Sequence, residues 1–119
     1  MMMWICLEIL TGKPTSSVGA CNGIVVGLVA ITPGAGYVTT GSALVIGAFS
    51  TIVCFFVGQF MKSLKSIDDT LDVFAVHGVG GTCGVLFTGI FCSLNVNEAG
   101  EAFMLLIIKS HLRPNISRY

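Results

Sequence analysis

The sequence predicts an all-α protein, a polytopic transmembrane helical bundle, and three observations carry that prediction. Of its 119 residues 54% are hydrophobic and only 10% are charged, whereas a soluble domain carries about a quarter charged residues. Apolar runs of membrane-spanning length alternate with short polar turns. Fifteen glycines are too many for soluble helices, yet they suit helices packed in lipid, where small residues let backbones approach closely. Net charge is zero and no basic stripe is present, so no nucleic acid partner is expected. The five cysteines (Cys6, Cys21, Cys54, Cys83, Cys92) are odd in number and form no C-x-x-C pair. That pattern argues against a disulfide framework and against a zinc site, and it reads as small packing residues. No metal, cofactor or covalent catalysis is suggested, and the chain is not expected to be an enzyme.

Each element follows from length and turn chemistry, since a spanning helix needs about 20 apolar residues. Residues 1–10 are apolar but make only half a span. They have no basic flank and no small-residue cleavage pattern, which argues against a secretory signal. They read as the end of a longer helix, so the chain is expected to be a fragment with a truncated first helix. Thr11-Gly12-Lys13-Pro14-Thr15 closes that helix, with Gly as a C-cap and Pro early in the next helix. Residues 16–32 form a first full span, which the Thr32-Pro33-Gly34-Ala35-Gly36-Tyr37 turn ends. Residues 42–61 form a second, followed by a short polar loop over 62–69. Residues 70–91 form a third. Residues 95–101 are polar, and the apolar stretch 102–108 is too short to span. The basic residues orient the bundle. Lys13, Lys62 and Lys65 fall on one side, the other has no Lys or Arg, and the basic side is expected to be cytoplasmic.

Glycines mark the packing faces. Gly19, Gly23 and Gly27 repeat every fourth residue, as do Gly80 and Gly84, while His77, Gly81, Gly84 and Thr88 share a face of a regular helix. His77 is the residue most suggestive of function. Titratable groups inside a membrane are costly and usually line a pathway for ions, protons or substrate. An imidazole also titrates near neutrality, which suits it to handing over protons. A buried neutral His that fixes packing is the alternative. With its helix starting near Thr70, His77 is expected roughly 10 to 12 Å deep, at about 1.5 Å per residue. Val73, one turn earlier, should line the same space. Asp68 or Asp69 suits helix capping. Asp72 falls in the first turn, about 140° around a regular helix from His77, and is expected to hold the loop or another helix end.

These residues resemble the ammonium transporter family. DDTLDVFAVHGVGGTCGVLFTGIF is similar to the motif of the family's tenth helix, and GKPTSSVGACNGIVVGLVAITPGAGYV to its loop and eighth helix. Trp4, Glu8 and the GKP sequence fit the end of the seventh. The resemblance runs from Trp4 to Phe91 and divides the chain into a partial transporter domain, 1–92, and a divergent tail, 93–119. It implies ammonium and ammonia as cargo, a multi-pass protein of the lipid bilayer with the plasma membrane as its expected location, and a homotrimer of eleven-helix protomers. Ammonium is deprotonated, and ammonia passes two stacked histidines in a narrow apolar pore. By this match His77 is the second of the pair, Val73 lines the pore beside it, and Asp69 and Asp72 are structural acidic residues. The first histidine, the outer cation-binding residues and the gating phenylalanines belong to helices that precede these. The alternative function is that of a non-conducting membrane polypeptide that packs with or modulates full-length subunits. Three and a half spans cannot enclose such a pore. Cells expressing only these 119 residues are therefore expected to show no added methylammonium uptake, and uptake above background would overturn that expectation.

Overall fold

The fold, a computed structural model, describes residues 1–64, 72–93 and 96–97. Helix α1 spans Met2–Leu10, α2 Ser17–Ile31 and α3 Thr40–Ser63. A π-helical segment, Phe74–Val79, runs directly into α4, Gly80–Phe91. Among the described residues three helices are long and apolar enough to cross a membrane: Ser17–Gly34, Thr40–Ser63 and Phe74–Phe91. All-α architecture with three spans is thus the observed class. Asp69 and the apolar stretch 102–108 lie outside the described residues.

The ends of the helices are set by local chemistry. Gly12, at φ 69°, stops α1 in the left-handed region that glycine adopts without steric cost. Pro14 does not open α2. Ser16 is the N-cap instead, its hydroxyl accepting from the Gly19 amide at 2.9 Å. Thr32–Gly34 tightens into a 3-10 turn that carries Pro33. Thr39 then caps α3 by accepting from the Ser42 amide at 3.4 Å.

The polar ends confirm an alternating arrangement. Lys13, between α1 and α2, donates to Gln59 near the end of α3, and Lys62 lies one turn further along. Both lysines therefore occupy one end of the bundle, as the charge distribution predicts. At the opposite end the Ser93 amide donates to the Tyr37 carbonyl at 2.9 Å, joining the end of α4 to the α2–α3 connection.

A small core holds the elements together. Trp4, Val26, Cys54, Phe55 and Val76 bring α1, α2, α3 and the π segment to one point. The Trp4 and Phe55 rings meet edge to face at 5.2 Å and 80°, an arrangement favoured by the ring quadrupoles. Glu8 is buried beside them, accepting from Trp4 Nε1 at 3.2 Å and from the Ser16 amide at 3.2 Å. Cys54 belongs to this core, but Cys6 and Cys21 are exposed and do not pack within the chain.

Elsewhere the backbones touch through glycine. A Cβ on Gly84 would fall on the Ala30 carbonyl oxygen and lie 3.0 Å from Pro33 Cγ, so α4 rests directly on the end of α2. A Cβ on Gly19 would strike the Glu8 carboxylate, and one on Gly23 would come within 2.7 Å of Trp4 Cβ. A Cβ on Gly80 or Gly81 would stand at ordinary van der Waals distance from Val29, and one on Gly80 would also stand 3.4 Å from Cys54 Sγ. Gly27 departs from its expected packing role. Nothing lies within 4 Å of where its Cβ would stand, because it lines an open cavity of about 430 Å³ with Gly47 and Thr51.

Large apolar side chains point outward instead: Leu28 is 62% exposed, Leu44 74%, Phe60 63% and Ile90 65%. Lipid is as apolar as leucine, so bulk belongs outside and smallness between the helices. Gly84→Ala is therefore expected to cost about 1–3 kcal/mol of stability through overpacking, while Gly27→Ala stays near neutral. Thermal loss of helicity in lipid bilayers checks this; equal melting of the two variants would refute backbone contact at Gly84.

Candidate functional site

The site is built where the last span begins. Asp72 precedes the helix with φ 53°, a left-handed conformation uncommon outside glycine, asparagine and aspartate. Its carbonyl accepts from the Val76 amide at 2.8 Å, a backbone bond into the helical run. Its side chain is buried, and Oδ2 accepts both from Lys62 Nζ at 2.9 Å and from Asn22 Nδ2 at 2.9 Å. Asp72 thus joins the end of α3, the middle of α2 and the start of the π segment.

This geometry corrects two expectations. Asp72 is not in the first turn of the helix but just ahead of it, since a residue at φ 53° cannot continue a right-handed helix. The helical run that carries His77 begins after Asp72. His77 lies three residues beyond Phe74, only about 5 Å along the axis. It stands near the start of the described helical run.

A third correction concerns its face. On a regular helix His77 would share a face with Gly84 and Thr88. Here both are buried, Thr88 at 1% exposure, whereas His77 is exposed. The π segment is the cause. One π turn takes up one residue more than an α turn, which rotates the start of the span by about 100° relative to α4. The imidazole is turned out of the bundle, and no hydrogen bond or ion pair to it is found among the described residues. Val73, one turn before, is 50% exposed on the same stretch. His77 and Val73 are brought together on the outer side of the last span, away from the core side chains Ala75 and Val76.

Asp69 lies outside the described residues. Among those described, no cluster of three or more His, Cys, Asp or Glu side chains could hold a metal ion. Asn22 and Lys62 are the partners that sequence reasoning missed. Asn22 carried a usable signal, because an amide inside an apolar span needs a partner on another helix.

The sequence pattern of the Ammonium Transporter Family matches residues 1–114 of this chain. The chain belongs to the ammonium transporter family. Its match continues past Cys92, where the recognisable motifs end. It is 43% identical over 97 residues to the ammonium transporter of Bacillus subtilis (strain 168), covering 82% of this chain and 24% of that protein. It is 45% identical over 96 residues to the ammonium transporter of Aquifex aeolicus (strain VF5), covering 80% of this chain and 22% of that protein. Its fold is similar to the crystal structure of Saccharomyces cerevisiae Mep2, with a TM-score of 0.73 and 41% identity over 86% of this chain and 22% of that one. The chain spans about a quarter of the length of these relatives. Its spans and its family make it a multi-pass integral membrane protein.

Removing the Asp72 carboxylate leaves the part-buried Asn22 amide without its acceptor, a loss of about 1–3 kcal/mol, while the 56% exposed Lys62 side chain can turn to solvent. Asp72→Ala is expected to melt below Asp72→Asn, because Asn keeps an acceptor oxygen and tolerates the left-handed backbone. Thermal scans of the two variants in bilayers check the order; the reverse order would show that the clamp contributes nothing.

Proposed function

We propose that this chain forms part of an ammonium transporter and supplies one wall of a narrow, largely apolar pathway, with His77 and Val73 facing the moving species. The observation that supports the reading is the placement of His77. An imidazole stands exposed on a membrane-spanning element, in a chain of a family whose relatives bear the name ammonium transporter. Intramembrane titratable side chains face protein interiors or water-filled cavities, not lipid. The outer side of the last span is then a pathway surface, covered in the assembled protein by other helices.

The chemistry follows from desolvation. Entering an apolar passage costs an ion most of its hydration energy. Potassium cannot shed its charge, but ammonium can release a proton and continue as neutral ammonia. His77 then offers a ring nitrogen as hydrogen-bond partner where water is scarce. Val73 keeps the adjoining wall apolar. Placement in a homotrimer in the plasma membrane completes the proposal.

The test replaces the matching segment of Saccharomyces cerevisiae Mep2 with that of this chain and measures methylammonium uptake in yeast cells. The chimera is expected to transport, and its His77→Ala variant to lose flux or discrimination against potassium. Unchanged flux and selectivity would overturn the role of His77. A chimera that stays silent but depresses uptake by an intact co-expressed transporter would favour the non-conducting, modulating polypeptide instead.

A further inference from the structure

Among the described residues no hydrogen bond or ion pair reaches the His77 ring, and the backbone beneath it sets the side of the span from which it projects. That backbone is a π turn, and a π turn can relax to α-helix by a rotation of about 100° at the start of the span. Something outside the turn must therefore hold its phase.

The clamp on Asp72 is placed to do so. The Asp72 carbonyl accepts from the Val76 amide at 2.8 Å, which ties it into the helical run. Its left-handed backbone sets the direction in which the π segment departs. Its carboxylate receives Lys62 from α3 and Asn22 from α2, both at 2.9 Å on Oδ2. Its other oxygen faces Gly58 of α3, standing 3.9 Å from where a Cβ would be. Two helices thus grip one side chain, and the gripped residue launches the turn that carries the imidazole five positions on.

We propose that Asn22 and Lys62 are positioning residues for His77: by holding Asp72 they maintain the π turn and thereby aim the imidazole into the pathway. This rests on the reading of His77 as a pathway residue. Charge and hydrogen bonding are both used. Lys62 supplies the counter-charge that a buried carboxylate requires, and Asn22, carried by the first full span, fixes the rotation about it. Relaxation to regular helix would bring His77 onto the face of Gly84 and Thr88, against the bundle and out of the pathway.

The experiment uses the full chain in aligned bilayers, labelled with nitrogen-15 at histidine and tryptophan, with His111→Gln leaving His77 as the one histidine. Solid-state NMR then reads the orientation of the His77 ring, with the Trp4 indole as an internal reference in the core. Lys62→Met and Asn22→Leu are each expected to move and broaden the His77 resonance while the Trp4 resonance stays in place. Lys62→Arg is expected to restore the His77 signal. The Lys62 side chain is 56% exposed, so its replacement leaves the core closed and keeps the test valid if Asn22→Leu disturbs folding. A His77 resonance unmoved by Lys62→Met, or a Trp4 resonance displaced equally, would overturn the proposal. Ring orientation is read without any flux. If it moves in Lys62→Met while methylammonium uptake by the chimera bearing the same change stays normal, the pathway reading of His77 fails and the positioning role stands.

Discussion

A carboxylate gripped by a lysine and an asparagine governs the geometry of the last span. Asp72 is buried at the junction of α2, α3 and the π segment, and both donors reach it at hydrogen-bonding distance. An isolated buried carboxylate is strongly disfavoured, so the partners are a condition of its position rather than an ornament to it. The same residue has a left-handed backbone. It therefore starts the helical run at a definite angle. The start of the span, the π turn and the exposure of His77 all lie downstream of that junction.

The rest of the bundle is assembled by the absence of side chains. Gly84 lets α4 rest on the Ala30 carbonyl, and Gly19 leaves room for the Glu8 carboxylate beside Trp4. Lipid offers no hydrophobic drive for bringing helices together, so close backbone contact and a few satisfied polar groups must supply the cohesion. The distribution of bulk agrees, with Leu44, Phe60 and Ile90 pointing outward and Gly19, Gly23 and Gly84 inward. Trp4 and Phe55 meet edge to face within the described core. Their position draws the short helix α1 onto the long helix α3.

Exposure has two meanings on such a surface. For leucines and phenylalanines it means contact with lipid tails. For an imidazole it means a surface that other protein or water must cover, since an ionisable ring in hydrocarbon is costly. His77 and Val73 share the outer side of the last span, and on the proposed reading they mark the boundary between a lipid-facing and a pathway-facing surface. The chain matches about a quarter of its relatives' length.

The helical class, the three spans and the common end for Lys13 and Lys62 were legible in the sequence, because apolar length, turn residues and charge placement are local or additive quantities. That His77 stands out was legible too, since the cost of an ionisable group in an apolar run depends only on its immediate neighbours. Its direction was not. A regular helix places His77 with Gly84 and Thr88, and the rotation that separates them comes from a π turn that no periodicity announces. The role of Asp72 was seen only in outline, because its partners stand 50 and 10 residues away. Gly27 looked like Gly19 and Gly23, yet it borders open space where they meet Trp4 and Glu8. The sequence by itself determined what each segment is, for those energies are summed along the chain. Only the tertiary structure decided which way each segment faces, for that phase is set by contacts between residues far apart in the chain.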